Sequence, residues 1–123
     1  MPMIPFRHII VATDFGPASQ RAIATAADMA ASLGAKLTLV HVLEAPDPLP
    51  PLDHLWIAAQ RSLDVSVARL RARNVDCDSA LGSGPCWVEI SKLAEQAGGD
   101  LLVVGSHGRR GLAHALLDRK AHV

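Results

Sequence analysis

A chain of 123 residues is long enough to bury one core but not two. Half of its residues are apolar and one fifth are charged, which excludes a disordered chain. Lysine plus arginine balance aspartate plus glutamate at 12 each, so no overall charge draws the chain to nucleic acid or to an anionic membrane. Cys77 and Cys86, the only two cysteines, make neither a disulfide scaffold nor a metal-ligand spacing. Met1-Pro2-Met3-Ile4-Pro5 does not open a secretory signal, and no apolar run approaches the roughly 20 residues that span a bilayer. A reduced, cytoplasmic protein is the expectation.

In chain order, His8-Ile9-Ile10-Val11-Ala12 is a short apolar run suited to a strand buried on both faces. Thr13-Asp14 end it, and Gly16-Pro17 start a helix, glycine as N-cap and proline in the first turn. Ala22, Ile23, Ala26, Ala30 and Leu33 recur at helical spacing, and Gly34 stops the helix. Residues Leu37 to Leu43 form a second buried strand. Pro46, Pro48, Pro50 and Pro51 then allow only a loop. A second helix runs from about Asp53 to Arg73, with Leu55, Ala59, Leu63, Val67 and Leu70 on one side. Asn74 ends it, and Arg69, Arg71 and Arg73 suit its C-terminal dipole.

Val75, Cys77, Ser79 and Leu81 alternate with Asp76, Asp78 and Ala80, the pattern of an edge strand with one wet face and Cys77 turned to the core. Gly82-Ser83-Gly84-Pro85 reads as a turn and cap before a third helix carrying Ile90, Leu93, Ala94 and Ala97. Gly98-Gly99 close that helix, and Asp100 to Val104 make a fourth strand. The loop Gly105 to Gly111 leads into a last helix with Leu112, Ala115 and Leu116. Strand and helix alternate strictly, so the fold class is α/β: an open, mostly parallel sheet with helices on both faces. No domain boundary interrupts residues 1–123. In such sheets ligands bind beyond the carboxyl ends of the strands, which points to Thr13-Asp14, to the region after Val42, and to the loop from Gly105.

Val104-Gly105-Ser106-His107-Gly108-Arg109-Arg110-Gly111 places three glycines directly after a buried strand. A backbone this bare can approach an anion at the next helix N-terminus; it can equally be a tight turn without a ligand. No Gly-Lys-Ser/Thr follows at P-loop distance. Ile9 to Phe15, Leu39-Val40-His41-Val42, and Asp100 through Gly108 occur in the order and spacing of the universal stress protein family, which the chain resembles over nearly its whole length.

Members of that family divide into ATP binders and non-binders, so the resemblance implies either an adenine-nucleotide site for ATP or AMP, with Mg²⁺ entering only alongside nucleotide, or a module that binds no nucleotide and acts through dimerisation or partner association. Asp14 would lie near the adenosine beside Thr13, and Val42 would offer backbone groups to the adenine edge. Val104, Gly105, Ser106, His107, Gly108 and Arg109 would supply the ribose and phosphate side. ATP-binding relatives carry Gly-x2-Gly-x9-Gly-Ser/Thr; Gly105 and Gly108 match its first half, but Asp118-Arg119 stand where Gly-Ser belongs. Asp118 repels phosphate oxygens and Arg119 offsets part of that. Relatives also continue into a fifth edge strand that pairs two subunits, and this chain stops at Val123, so four strands are expected with the outer edge of the fourth uncovered. The implied partners are a second copy or another protein.

Asp14 has a plainer role open to it, capping the helix that follows. Ser106 and His107 are neighbours on one loop and, with Asp14, do not make a hydrolase triad. No pair of residues is arranged to activate water, so no catalytic residue and no enzyme is expected; a phosphohydrolase using His107 rests on analogy alone. His41 reads as a satisfied core histidine. His8, His54, His114 and His122 have no zinc spacing, and no metal is expected. Cys86 falls in the first turn of a helix, where the dipole can lower a thiol pKa; an inert, half-buried cysteine is the alternative.

Overall fold

The computed structural model describes residues 6–44 and 53–105, and the backbone of residues 114–115. Strand β1 (His8–Ala12) carries Ile9, Ile10 and Val11 with no exposed surface. Two covered faces require such a continuous apolar strand, because neither set of alternating side chains meets water. Helix α1 (Pro17–Leu33) follows, with Gly16 extended at the N-cap, Pro17 in its first turn, and Gly34 closing it at φ 66°. Its buried side is small, chiefly Ala22, Ala26, Ala27 and Ala30 around Ile23, which lets the helix lie close on the sheet.

Strand β2 (Lys36–Glu44) pairs in parallel with β1. Helix α2 (His54–Arg71) starts at Asp53, whose carboxylate accepts the Leu55 N–H at 2.8 Å. Ala59, Leu63, Val67 and Leu70 are buried, but Leu55, expected with them, is 60% exposed. Burial in α2 begins only at Ala59, one turn further into the helix. Asn74 takes the left-handed conformation after α2, as its short polar side chain allows.

Strand β3 (Cys77–Gly84) lies at a sheet edge beside β2. It runs through Gly82-Ser83-Gly84, which the sequence alone marks as a turn; pairing with Val42, Leu43 and Glu44 keeps these residues in the ladder. A side chain at Gly82 would meet Leu93, and one at Gly84 would meet Glu89, so small residues here let helix α3 (Cys86–Ala97) pack against the strand's end. Strand β4 (Leu101–Val104) is wholly buried and pairs in parallel with β1.

The four expected strands are all present and parallel, and a short fifth strand joins them at the edge. Strand β5 (His114–Ala115) pairs antiparallel to Leu102 and Val103, where the sequence suggests helix through Ala115. The outer backbone groups of β4 need partners, and this short pairing meets that demand more directly than a helix would. Leu112 and Leu116 lie outside the described residues.

The strand order is β3-β2-β1-β4-β5. The chain winds outward from β1 to β3 and then crosses back to β4, so right-handed crossovers put α1 and α2 on one face and α3 on the other. Two cores result. Ile9, Val11, Leu37, Leu39, Cys77, Leu101 and Val103 pack with α1 and α2, while Ile10, Val40, Val42, Leu102 and Val104 pack with Ile90 and Ala94 of α3. The direction of winding reverses between β1 and β4, and that reversal opens a crevice at their carboxyl ends.

Candidate functional site

A cavity of about 280 Å³ opens at this crevice. Its wall combines the ends of β1, β2 and β4 with the first turns of α1 and α3. Of the positions expected from sequence, Thr13, Asp14, Val42, Val104 and Gly105 all line it. Ser106, His107, Gly108 and Arg109 lie outside the described residues, as do Asp118 and Arg119.

The loop from β1 into α1 is held by its own side chains. The Asp14 carboxylate accepts the Gly16 N–H at 2.8 Å and the Ser19 hydroxyl at 2.7 Å. Ser19, buried in the first turn of α1, accepts the Asp14 N–H at 3.0 Å in return. Asp14 does not cap α1, whose N-cap is Gly16 with no side-chain cap bond; it ties the loop before the helix and stands on the cavity wall. Phe15 follows at φ 66°, a conformation that costs an L-residue roughly 1–2 kcal/mol. Its N–H donates to the Thr13 hydroxyl at 2.9 Å, and its ring lies 4.6 Å from that of His41.

His41 departs from the core role expected of it. It is half-buried on the cavity wall, and its Nδ1 meets the Thr13 carbonyl at 2.6 Å. A carbonyl only accepts, so Nδ1 carries the proton. The bond ties the crest of β2 to that of β1. Nothing in the apolar run of β2 distinguishes His41 from a core residue; only strand order reveals that it ends at the crest.

Gly105 is explained first by packing. A Cβ there would stand 2.6–2.8 Å from backbone atoms of Ala18 and Ser19, so α1 lies directly against the end of β4. The close approach that the sequence assigns to a ligand is, at this glycine, made by the protein's own helix. The cavity then lies beside that contact.

From α3 come Cys86, Trp87 and Ile90. Sequence inspection notices Cys86 only as a thiol and misses Trp87. The available signal is topological: a helix after a parallel strand begins at the crest, so the first turn after Gly84 belongs to the site. Of the two readings open to Cys86, the half-buried cysteine without a lowered pKa is the one found. Burial pushes the thiol up, and the carboxylates of Glu44 and Asp14 push it further in the same direction. Among the described lining residues none is lysine or arginine, and the apolar part of the wall is Ala12, Val40, Val42, Ile90 and Val104. The chemistry offered is a largely apolar cavity whose wall also carries the Thr13 and Ser19 hydroxyls, the Asp14 carboxylate and the His41 ring. No metal-holding group of histidine, cysteine, aspartate or glutamate is found among the described residues.

The universal stress protein family model matches residues 5–122. The chain belongs to that family. Universal stress protein A homolog 1 of Coxiella burnetii is 34% identical over 125 residues, covering 93% of this chain and 85% of the relative. A universal stress protein from Burkholderia pseudomallei superposes with a TM-score of 0.70 at 27% identity, over 87% of this chain and 86% of that one. Two more distant members share the fold. One, solved in complex with cAMP, has a TM-score of 0.61 at 24% identity, over 89% of this chain and 79% of its own. The other, from Archaeoglobus fulgidus in complex with dAMP, has 0.63 at 20%, over 82% of each chain. In this universal stress protein, no helix among the described residues is long and apolar enough to cross a membrane.

Proposed function

We propose that this universal stress protein binds an adenine nucleotide, AMP in preference to ATP, in the crest cavity and serves as a cytoplasmic binding and signalling module. The observation that carries the reading is the gathering of Thr13, Asp14, Val42, Val104 and Gly105 around one cavity at the winding reversal, where open α/β sheets take ligands. Its apolar lining suits a base, and its polar groups suit ribose hydroxyls. Relatives of the same fold solved with cAMP and dAMP support the choice of adenine. Mg²⁺ enters only with a nucleotide that brings phosphates to hold it.

A role without catalysis fits the same wall. The Asp14 carboxylate accepts from Gly16 and Ser19, and the His41 Nδ1–H donates to the Thr13 carbonyl, so both side chains serve to fix the crest of β1. Signalling then proceeds through a second copy or another protein partner, with residues 1–123 acting as one domain.

Calorimetry with adenosine, AMP and ATP, with and without Mg²⁺, tests the reading. Saturable heat with AMP is expected, accompanied by protection of Cys86 from iodoacetamide. Absence of both heat and thermal shift at millimolar AMP would end it.

A further inference from the structure

We propose that Trp87 is the specificity-determining residue of the cavity, its indole forming the wall on which a planar base stacks. This inference rests on the nucleotide reading above and adds to it a residue outside the family's glycine and aspartate segments. Trp87 lies in the first turn of α3, lines the cavity, and is 54% exposed. Trp87 thus puts a large flat apolar ring, about half of it in water, at the cavity wall.

The surroundings restrict what can lie on that ring. Val40, Val42, Ile90 and Val104 line the same cavity and are buried side chains with no polar group to offer. A flat ring laid on the indole within this cavity gains apolar contact with it. A flexible aliphatic ligand would gain less, because it cannot lie flat against the ring. Asp14 on the cavity wall and the exposed Glu44 both act on Cys86, the residue beside Trp87. They oppose an anionic group next to the indole and favour the neutral base over the phosphate in that position. Base-on-aromatic stacking tolerates any base, so Trp87 selects for a ring, and the backbone at Val42 is left to select among rings.

The full chain contains one other tryptophan, Trp56 of α2, which does not line the cavity. The Trp56→Phe protein therefore reports Trp87 emission alone. Titration with AMP should quench it saturably, and ribose 5-phosphate at the same concentration should not. Trp87→Ala should weaken AMP roughly 5- to 150-fold, the range of one lost stacking partner, while Trp87→Phe keeps most of the affinity. Far-ultraviolet circular dichroism of each variant checks the fold, which an exposed position should not disturb. If AMP gives calorimetric heat but Trp87 emission does not change and Trp87→Ala binds equally well, the assignment is wrong and the nucleotide reading stands. If AMP gives no heat with the unaltered chain, both fall.

Discussion

Asp14 and Ser19 close a reciprocal pair: the hydroxyl donates to the carboxylate at 2.7 Å and accepts the Asp14 N–H at 3.0 Å. One side chain thereby serves the backbone and the carboxylate of the same residue. The pair fixes the exit of β1 to the entry of α1, so the cavity's carboxylate is held by the helix rather than by a loop.

Ser19→Ala removes both bonds in a buried setting. It should lower the free energy of unfolding by about 1–3 kcal/mol, the cost of leaving polar partners unmet. Urea denaturation reads this directly. AMP affinity should fall as well, because Asp14 loses its anchor. An unaltered unfolding midpoint would show that water replaces the hydroxyl without loss.

Gly105 and Gly34 offer a contrast between two reasons for glycine. A Cβ at Gly34 meets nothing within 4 Å, but its φ of 66° strains any L side chain; Gly34→Ala should cost about 1 kcal/mol. At Gly105 the added carbon would overlap the α1 backbone at 2.6 Å. Backbone cannot swing aside as a side chain can, so Gly105→Ala should cost about 1–3 kcal/mol or more. It should also abolish AMP binding by displacing Ser19 and with it Asp14. Thermal melts of the two variants with and without AMP distinguish the cases: ligand should still stabilise Gly34→Ala and should fail to stabilise Gly105→Ala.

Much of this architecture was legible before any coordinates. Runs such as Ile9-Ile10-Val11 state double burial by their lack of alternation, and Gly16-Pro17, Gly34, Asn74 and Gly98 mark helix ends through backbone chemistry that acts locally. Thr13, Asp14 and Val42 follow from the rule for strand ends. What sequence could not convey depends on distant pairings. Gly82-Ser83-Gly84 read as a turn because nothing local reveals that β2 and α3 hold them in a strand. His114 and Ala115 read as helix because the open edge of β4 is not visible from their neighbours. Trp87 and Ser19 join the site only through the way α3 and α1 start at the same crest.

At the opposite end of the sheet a polar chain crosses three strands. The His8 Nε2–H donates to Thr38 Oγ1 at 2.6 Å, the Thr38 hydroxyl donates to Asp78, and Lys36 pairs with Asp78 at 3.0 Å. Burial alone would raise the Asp78 pKa, but the Thr38 hydroxyl, Lys36 and the His8 charge outweigh it and hold the carboxyl below its ordinary value of 3.8. A folded pKa below the unfolded one means stability that is complete above the unfolded value and is lost as pH falls through the folded one. Asp78→Asn should therefore flatten the loss of stability in acid, most visibly as pH falls below the ordinary carboxyl value of 3.8. Thr38→Val should bring the Asp78 carboxyl back up in an NMR titration while leaving Lys36 in place. A carboxyl that titrates identically in both proteins would show that Thr38 does not contribute.

The two thiols should differ in rate but share a direction. Burial, with Asp78 adding to it, pushes Cys77 up to about 11, and its surface is 1% exposed. Cys86 is also raised, though half-buried at the cavity. At neutral pH both are protonated and slow toward iodoacetamide. Mass spectrometry should find Cys86 modified first and Cys77 only on unfolding. Faster labelling of Cys77 in the native protein would mean that β3 opens at the sheet edge.

Ligand charge gives the last test. Glu44 and Asp14 both act on the Cys86 thiol, so they also act on phosphates placed near that thiol, and the described wall carries no lysine or arginine in return. Adenosine and AMP should consequently bind better than ATP in the absence of Mg²⁺. Glu44→Gln removes one exposed negative charge without touching the lining, and should strengthen ATP roughly two- to five-fold at low salt, the scale of a single exposed charge interaction. Adenosine, being neutral, should be unaffected. Raising ionic strength to about 1 M shortens the screening length to roughly 3 Å, and the difference between Glu44→Gln and the unaltered protein should then vanish. A gain for adenosine equal to that for ATP would instead mean that Glu44 shapes the slot rather than its potential.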